Sequence, residues 1–166
     1  VLWLADSQDG PGYPLMGRRR NRGMSWVWPG VSVENQDAAD ARVHWLLMTP
    51  AHTRVVSYEP ALGPVDWTRV RAQGVGYLNA LSGRYLDANG MPENMCGEQI
   101  DQIICGGESG SKARQCNIAW LRSAVQQCQT ASVACWVKQL GTCHYVYDYD
   151  DHMLLMRMKD RKGADP

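Results

Sequence analysis

Three carboxylates, a lysine and a glycine-rich turn are the residues most able to do chemistry in this chain, because each follows directly on a short apolar run. Ser32-Val33-Glu34-Asn35, Ser57-Tyr58-Glu59-Pro60, Gly107-Glu108-Ser109 and Lys138-Gln139 each close such a run. If the runs are parallel strands, their ends share one rim, where ligands of parallel β/α proteins bind. Carboxylates at a rim accept hydrogen bonds from hydroxyl and amino groups, while Lys138 and nearby Arg114 can pair with anionic groups. Gly106-Gly107-Glu108-Ser109-Gly110-Ser111 can cradle a polar or anionic ligand through backbone N–H groups. It lacks the lysine and spacing of a phosphate loop and is not GxGxxG, so a tight strand–helix turn explains it equally well. The candidate ligand-binding residues are Ser32, Glu34, Asn35, Glu59, Gly107, Glu108, Ser109, Arg114, Lys138 and Gln139. No residue is assigned a catalytic role, and none a metal.

Each of these also has a structural reading. Glu34 can simply favour the positive end of a helix beside Asn35, and Glu59 can open a turn before Pro60. Lys138 can be the counter-ion of clustered carboxylates that would otherwise repel one another. Arg114 can pair with Glu108 instead of a ligand. Together, three carboxylates and a lysine on one rim exceed what loop polarity requires. His44, His52, His144 and His152 have no partner at ligand spacing.

The elements that must position this rim follow from patterning. Trp28 to Val33 reads as a buried strand weakened by Pro29 and Gly30. Asn35 is a good N-cap, Asp37 lies in the first turn, and Ala39, Val43, Leu46 and Leu47 share a helical face that Pro50 ends. Thr53 to Tyr58 and Ile100 to Cys105 read as the second and third strands. Asn117 caps a helix whose Ile118, Leu121, Val125 and Cys128 share a face, and Ala134 to Val137 is a fourth strand. Between strands two and three, Tyr77–Leu81, the Ser82-Gly83 turn and Arg84–Leu86 predict a hairpin, with residues 87–97 as loop. Tyr145–Tyr149 and His152–Met158 read as antiparallel strands around Asp150-Asp151.

Strand–helix–strand units with near-continuous apolar strands imply parallel pairing. The expected class is α/β: a partial (β/α) barrel of parallel strands with covering helices, plus a β-hairpin insertion. A complete eightfold barrel takes about 250 residues, so an open sheet fits four strands as well. The organisation reads as a loop or helix remnant over 1–25, two β/α strands over 26–60, the insertion over 61–99, two more over 100–141, and an extension over 142–166.

Formal net charge is zero over 166 residues, so no global field steers nucleic acid or an anionic membrane. The Arg18–Gly23 run RRRNRG can grip phosphates, and it can equally be a solvated arm, since nothing aromatic is interleaved for stacking. No apolar run approaches the roughly 18 residues of a membrane span, and no signal-peptide layout is present, so a cytoplasmic location is the default expectation. Cysteines at 96, 105, 116, 128, 135 and 143 match no zinc or iron–sulfur spacing. Cys105, Cys128 and Cys135 read as small buried hydrophobes. Both ends read as cut: Val1–Ala5 resembles the last turn of an apolar helix without an initiator Met, and Lys162–Pro166 stops within a turn signal.

Four ordered motifs carry a family resemblance: Trp28–Gln36 (WPGVSVENQ), Ser57–Val65 (SYEPALGPV), Ile104–Gly110 (ICGGESG) with Ala113-Arg114, and Val137–Gly141 (VKQLG). From about residue 26 to the C-terminus the chain resembles the phage Gp-thirty-seven/Gp-sixty-eight proteins, a family of unknown function in phages and bacteria. The resemblance implies a divergent radical-SAM barrel whose N-terminal part carries a three-cysteine motif ending in Cys-Tyr-Ala, often encoded beside a three-Cys-motif partner protein. That motif is absent here. The resemblance therefore implies no cofactor in this chain, but an Fe–S cluster and S-adenosylmethionine in a full-length form. Pro29 stands where the family has an aliphatic residue and Gln115 where it has proline.

By this analogy Glu34 and Asn35 hydrogen-bond a ribose, and Gly107 to Ser109 approach the methionine part or the substrate. The expected function is the C-terminal part of a phage-type radical-SAM-like protein of unknown substrate, inactive as this chain alone. The alternatives are a non-catalytic nucleotide- or partner-binding module, or an inactive truncated fragment.

Overall fold

The computed structural model describes residues 26–147 and 153–157. The Val1–Ala5 stretch, the RRRNRG run, the Asp150-Asp151 turn and the C-terminal turn signal lie outside them. A four-stranded sheet in the order β1-β2-β7-β9 positions the rim. Its strands are β1 (Gly30–Ser32), β2 (Val55–Tyr58), β7 (Gln102–Gly106) and β9 (Ala134–Gln139), and every pairing is parallel. All four strand ends therefore lie at one edge. The chain is a mixed α/β protein, and its described strands fall into three sheets, of which this is the all-parallel one.

Both helices start where the expected caps stand. Helix α1 (Gln36–Met48) begins at Asn35, whose side chain accepts a hydrogen bond of 3.0 Å from the Ala38 N–H. It ends at Thr49, which precedes Pro50 and is held extended by the ring that follows. Helix α2 (Ile118–Ala131) begins at Asn117, which accepts 2.9 Å from Ala119. Ala39, Val43, Leu46 and Leu47 of α1 are buried, as their spacing requires. On α2 the buried set is Ile118, Leu121, Ala124 and Cys128, so the face is turned by one residue and Val125 is only half-buried.

Alternation along the parallel strands separates the two sheet faces. Val56, Tyr58, Ile103 and Cys105 are fully buried and form the core with Val33. The opposite row, Ser32–Ser57–Ile104–Trp136 in register, is half-buried or exposed, and Trp136 is 55% exposed.

Residues 61–99 hold more than a hairpin. They form an antiparallel meander of β3 (Val70–Ala72), β4 (Gly76–Asn79), β5 (Arg84–Leu86) and β6 (Pro92–Cys96). The hairpin is β4–β5, and β6 occupies the stretch read as loop. Pro, Glu and Asn in β6 hide it from propensity arguments, and an edge position tolerates them. The meander joins the main core, because Trp67, Val70, Leu78 and Leu81 are buried within it. Trp67 packs edge-on to Tyr58 at 5.6 Å between ring centroids.

Helix side chains tie the meander down. Gln127 accepts from Trp67 N–H at 2.8 Å and donates to Val65 O at 3.0 Å. Asp40 accepts from Arg71 N–H, and Gln36 from Asp66 N–H. Arg54 is 3% exposed, and its guanidinium donates to Thr49 O and to Glu98. A third sheet pairs β10 (Cys143–Tyr147) with β11 (Met153–Arg157) antiparallel and with β8 (Cys116–Asn117) parallel. Among the described residues no helix is long and apolar enough to cross a membrane.

Buried His44 on α1 gives a pH dependence. Its Nδ1 has no hydrogen-bond partner, and desolvation lowers its pKa from 6.5. The core thus holds the neutral ring, whereas the unfolded chain takes up a proton near the ordinary value. This contribution to stability is full above pH 6.5 and is lost as pH falls from there through the lower folded-state value. Thermal midpoints of wild type should therefore fall faster than those of His44→Leu as the pH drops below about 6.5. Parallel curves for the two proteins would assign the acid sensitivity to other groups.

Candidate ligand-binding rim

Each strand end of the parallel sheet delivers its polar residues into a paired network. Beyond β1, the Glu34 carboxylate accepts from Arg42 Nη1 at 3.0 and 3.2 Å, and the same nitrogen donates to Ser32 O at 2.7 Å. Arg42 lies seven residues beyond the Asn35 cap, two helical turns on, so its side chain returns to the strand from which the helix departs. That spacing was the available signal for a residue that strand-end reasoning missed. Asn35 commits its side-chain oxygen to the cap.

At β2 and β9, Glu59 joins the two ends of the network. Its Oε2 lies 3.3 Å from Lys138 Nζ, and its Oε1 accepts from Gln139 Nε2 at 2.8 Å. Gln139 also donates to Gly107 O at 3.1 Å and accepts from Ser109 Oγ at 2.7 Å. The Glu59–Pro60 peptide is cis. Beyond β7, Glu108 holds Arg114 by two side-chain bonds, at 2.7 Å from Nε and 3.2 Å from Nη2, and by the Arg114 N–H at 2.9 Å.

The electrostatics follow from these pairs. Side-chain and backbone hydrogen bonds from Arg114 hold the Glu108 carboxyl below its usual range, and Glu108 raises Arg114 in return. Glu34 also acts on Arg114, so the β1 and β7 ends share one charge field. Three carboxylates face three cations, Arg42, Arg114 and Lys138, and the rim is neutral in sum. The three cations are 46%, 59% and 51% exposed. Their carboxylate partners Glu34 and Glu108 are 29% and 32% exposed, so these two pairs contribute little to stability, whereas Glu59 is 16% exposed and more sheltered. An ionised Glu108 in a strong pair accepts hydrogen bonds and does not donate a proton. The arrangement suits recognition of a polar ligand carrying hydroxyls and an anionic group more than acid–base catalysis.

Backbone shape completes the turn. Gly107 N–H donates to Gln139 O at 3.1 Å, and Thr142 N–H to Glu108 O at 3.0 Å. A Cβ on Gly107 would lie 2.1 Å from Leu140 O, and one on Gly141 2.7 Å from Gly107 C. The β7 turn and the chain leaving β9 can approach this closely only as two glycines.

The profile of a family described as Protein of unknown function (DUF5131) matches residues 13–164. This chain belongs to that family. No curated protein and no solved structure matches it.

Among the described residues no three His, Cys, Asp or Glu side chains are grouped to hold a metal ion. Cys105, Cys116 and Cys128 are buried in the apolar core, and the rim network contains no thiol. These residues do not fit an iron–sulfur cluster. Missed by sequence reasoning, besides Arg42, was a group of thiols under the sheet: Cys105 and Cys135 touch at 3.9 Å across thirty residues of sequence.

Proposed function

We propose that this chain forms the later strands of a radical-SAM-like barrel and supplies its ligand-binding rim. One observation carries the reading. A single parallel sheet brings Glu34, Glu59, Gly107–Ser109, Arg114 and Lys138–Gln139 to one edge, beside a sheet face bearing Ser57, Ile104 and half-exposed Trp136. S-adenosylmethionine has matching parts: ribose hydroxyls for Glu34 and Glu59, and an amino-acid group for Arg114 and the Gly107–Ser109 turn. Asn35, committed to its cap, contributes less than Glu34. With a reduced cluster this cofactor supplies radical chemistry; in this reading the cluster's cysteines are not supplied by this chain, and no reaction step is assigned to the chain.

Calorimetric titration with S-adenosylmethionine and with adenosine tests the rim. Wild type is expected to bind, and Glu34→Ala and Glu108→Ala to weaken binding by roughly tenfold or more, the loss of a charge-assisted hydrogen bond. A folded wild-type sample that takes up neither ligand overturns the proposal.

A second reading rests on the pairing of every rim carboxylate, which fits a nucleotide- or partner-binding module without redox chemistry, with a three-Cys-motif protein as the partner. Anaerobic iron–sulfur reconstitution of a form containing the family's cysteine motif separates the two. Cluster absorption supports the first, and nucleotide binding without a cluster supports the second.

A further inference from the structure

Beneath the parallel sheet, on the face turned away from the open row, three thiols meet. Cys105 on β7 and Cys128 on α2 are fully buried, and Cys135 on β9 is half-buried. The Cys105 and Cys135 sulfurs are 3.9 Å apart, within hydrogen-bond reach of one another, and Cys128 lies in the same core cluster. Cys135 is the only one of the three residues that is not fully buried.

We infer that Cys135 is an oxidation site and that Cys105 resolves it, forming a reversible disulfide between β7 and β9 in response to a peroxide. The Cys135 thiolate attacks one peroxide oxygen, the O–O bond breaks, and the departing hydroxide leaves as water once protonated, so that Cys135 becomes a sulfenic acid. Cys105 then attacks the Cys135 sulfur. The S–O bond breaks, hydroxide departs with the Cys105 proton as a second water, and the S–S bond forms. Two thiols and one peroxide give one disulfide and two waters, two electrons passing from sulfur to oxygen.

Three features support this order of events. The neighbouring Cys105 and Cys128 thiols hold the Cys135 pKa below the ordinary thiol range, against the effect of burial. Cys105 is fully buried, so a peroxide reaches Cys135 before it reaches Cys105. Closing the sulfurs from 3.9 Å to the bonded distance of about 2.0 Å can use a shift of β9. Among the described residues β9 pairs only with β7, and their register already slips beyond Cys105, so the shift disrupts no second ladder.

Hydrogen peroxide treatment, alkylation of remaining thiols and non-reducing peptide mapping test the site in the wild-type protein, independently of any variant. The expected product is a peptide pair linked through Cys105 and Cys135, lost on reduction. Cys135→Ala should abolish the linked pair. Cys105→Ala, checked for folding by circular dichroism, should leave a Cys135 sulfenic acid that dimedone traps. Three results would overturn the inference: oxidation confined to exposed Cys96, a linked pair that survives Cys135→Ala, or a link mapped to Cys128.

Discussion

Gly107→Ala is expected to lower stability by at least about 3 kcal/mol, measured as a shift of the urea midpoint at unchanged slope. The added Cβ would stand 2.1 Å from Leu140 O, 2.7 Å from Leu140 C and 3.0 Å from Gly141 Cα. These are backbone atoms and cannot rotate away, so one strand connection has to move. Moving it breaks the Gly107–Gln139 and Thr142–Glu108 backbone bonds and the Gln139 side-chain bond to Gly107 O. Gly90→Ala is the control. Gly90 has φ +82° with nothing within 4 Å of a Cβ, so that substitution meets only left-handed strain of about 1–2 kcal/mol. If both variants shift the midpoint equally, backbone collision is not what holds the β7 turn against the β9 exit.

Trp67→Ala should cost about 3–5 kcal/mol, the range for emptying a large aromatic site in a packed core. Trp67 is 0% exposed, lies edge-on to Tyr58, and its N–H is held by Gln127 of α2. The informative measurement is where protection is lost. Native-state hydrogen exchange should show the β2 and β7 amides opening with those of the meander, in one cooperative unit. Loss confined to residues 61–99 would mean that the meander is peripheral and its packing on Tyr58 incidental. Trp67→Phe should recover much of the loss, because it keeps an aromatic ring against Tyr58 and removes an Nε1 that is buried without a partner.

Both sites lie where long-range packing decides the outcome. In Gly107-Glu108-Ser109 the local sequence announces a tight turn, but the reason for glycine is the backbone of Leu140 and Gly141, more than thirty residues on. Residues 61–99 break the strand–helix rhythm and read as an interruption. Yet Trp67, Val70, Leu78 and Leu81 are as buried as the strands on either side. Periodicity reports which residues of a segment want burial, not which other segment buries them.

The sequence by itself determined the two helices and the four strand ends. Asn35 and Asn117 cap, Pro50 terminates, and apolar spacing sets the buried face of α1 and all but one position of that of α2; these signals act over one or two turns, within reach of a local reading. It also picked out the rim residues, because polar side chains that follow apolar runs stand out against them. Only the tertiary structure decided how they are paired. Arg42 neutralises Glu34, Gln139 bridges Glu59, Gly107 and Ser109, and Arg114 closes on Glu108. It alone brought the Cys135 sulfur to that of Cys105, made β6 an edge strand, and sank the meander into the main core. The physical reason is common to all of these: pairing and burial depend on distances between segments far apart in the chain, which residue type and spacing do not encode.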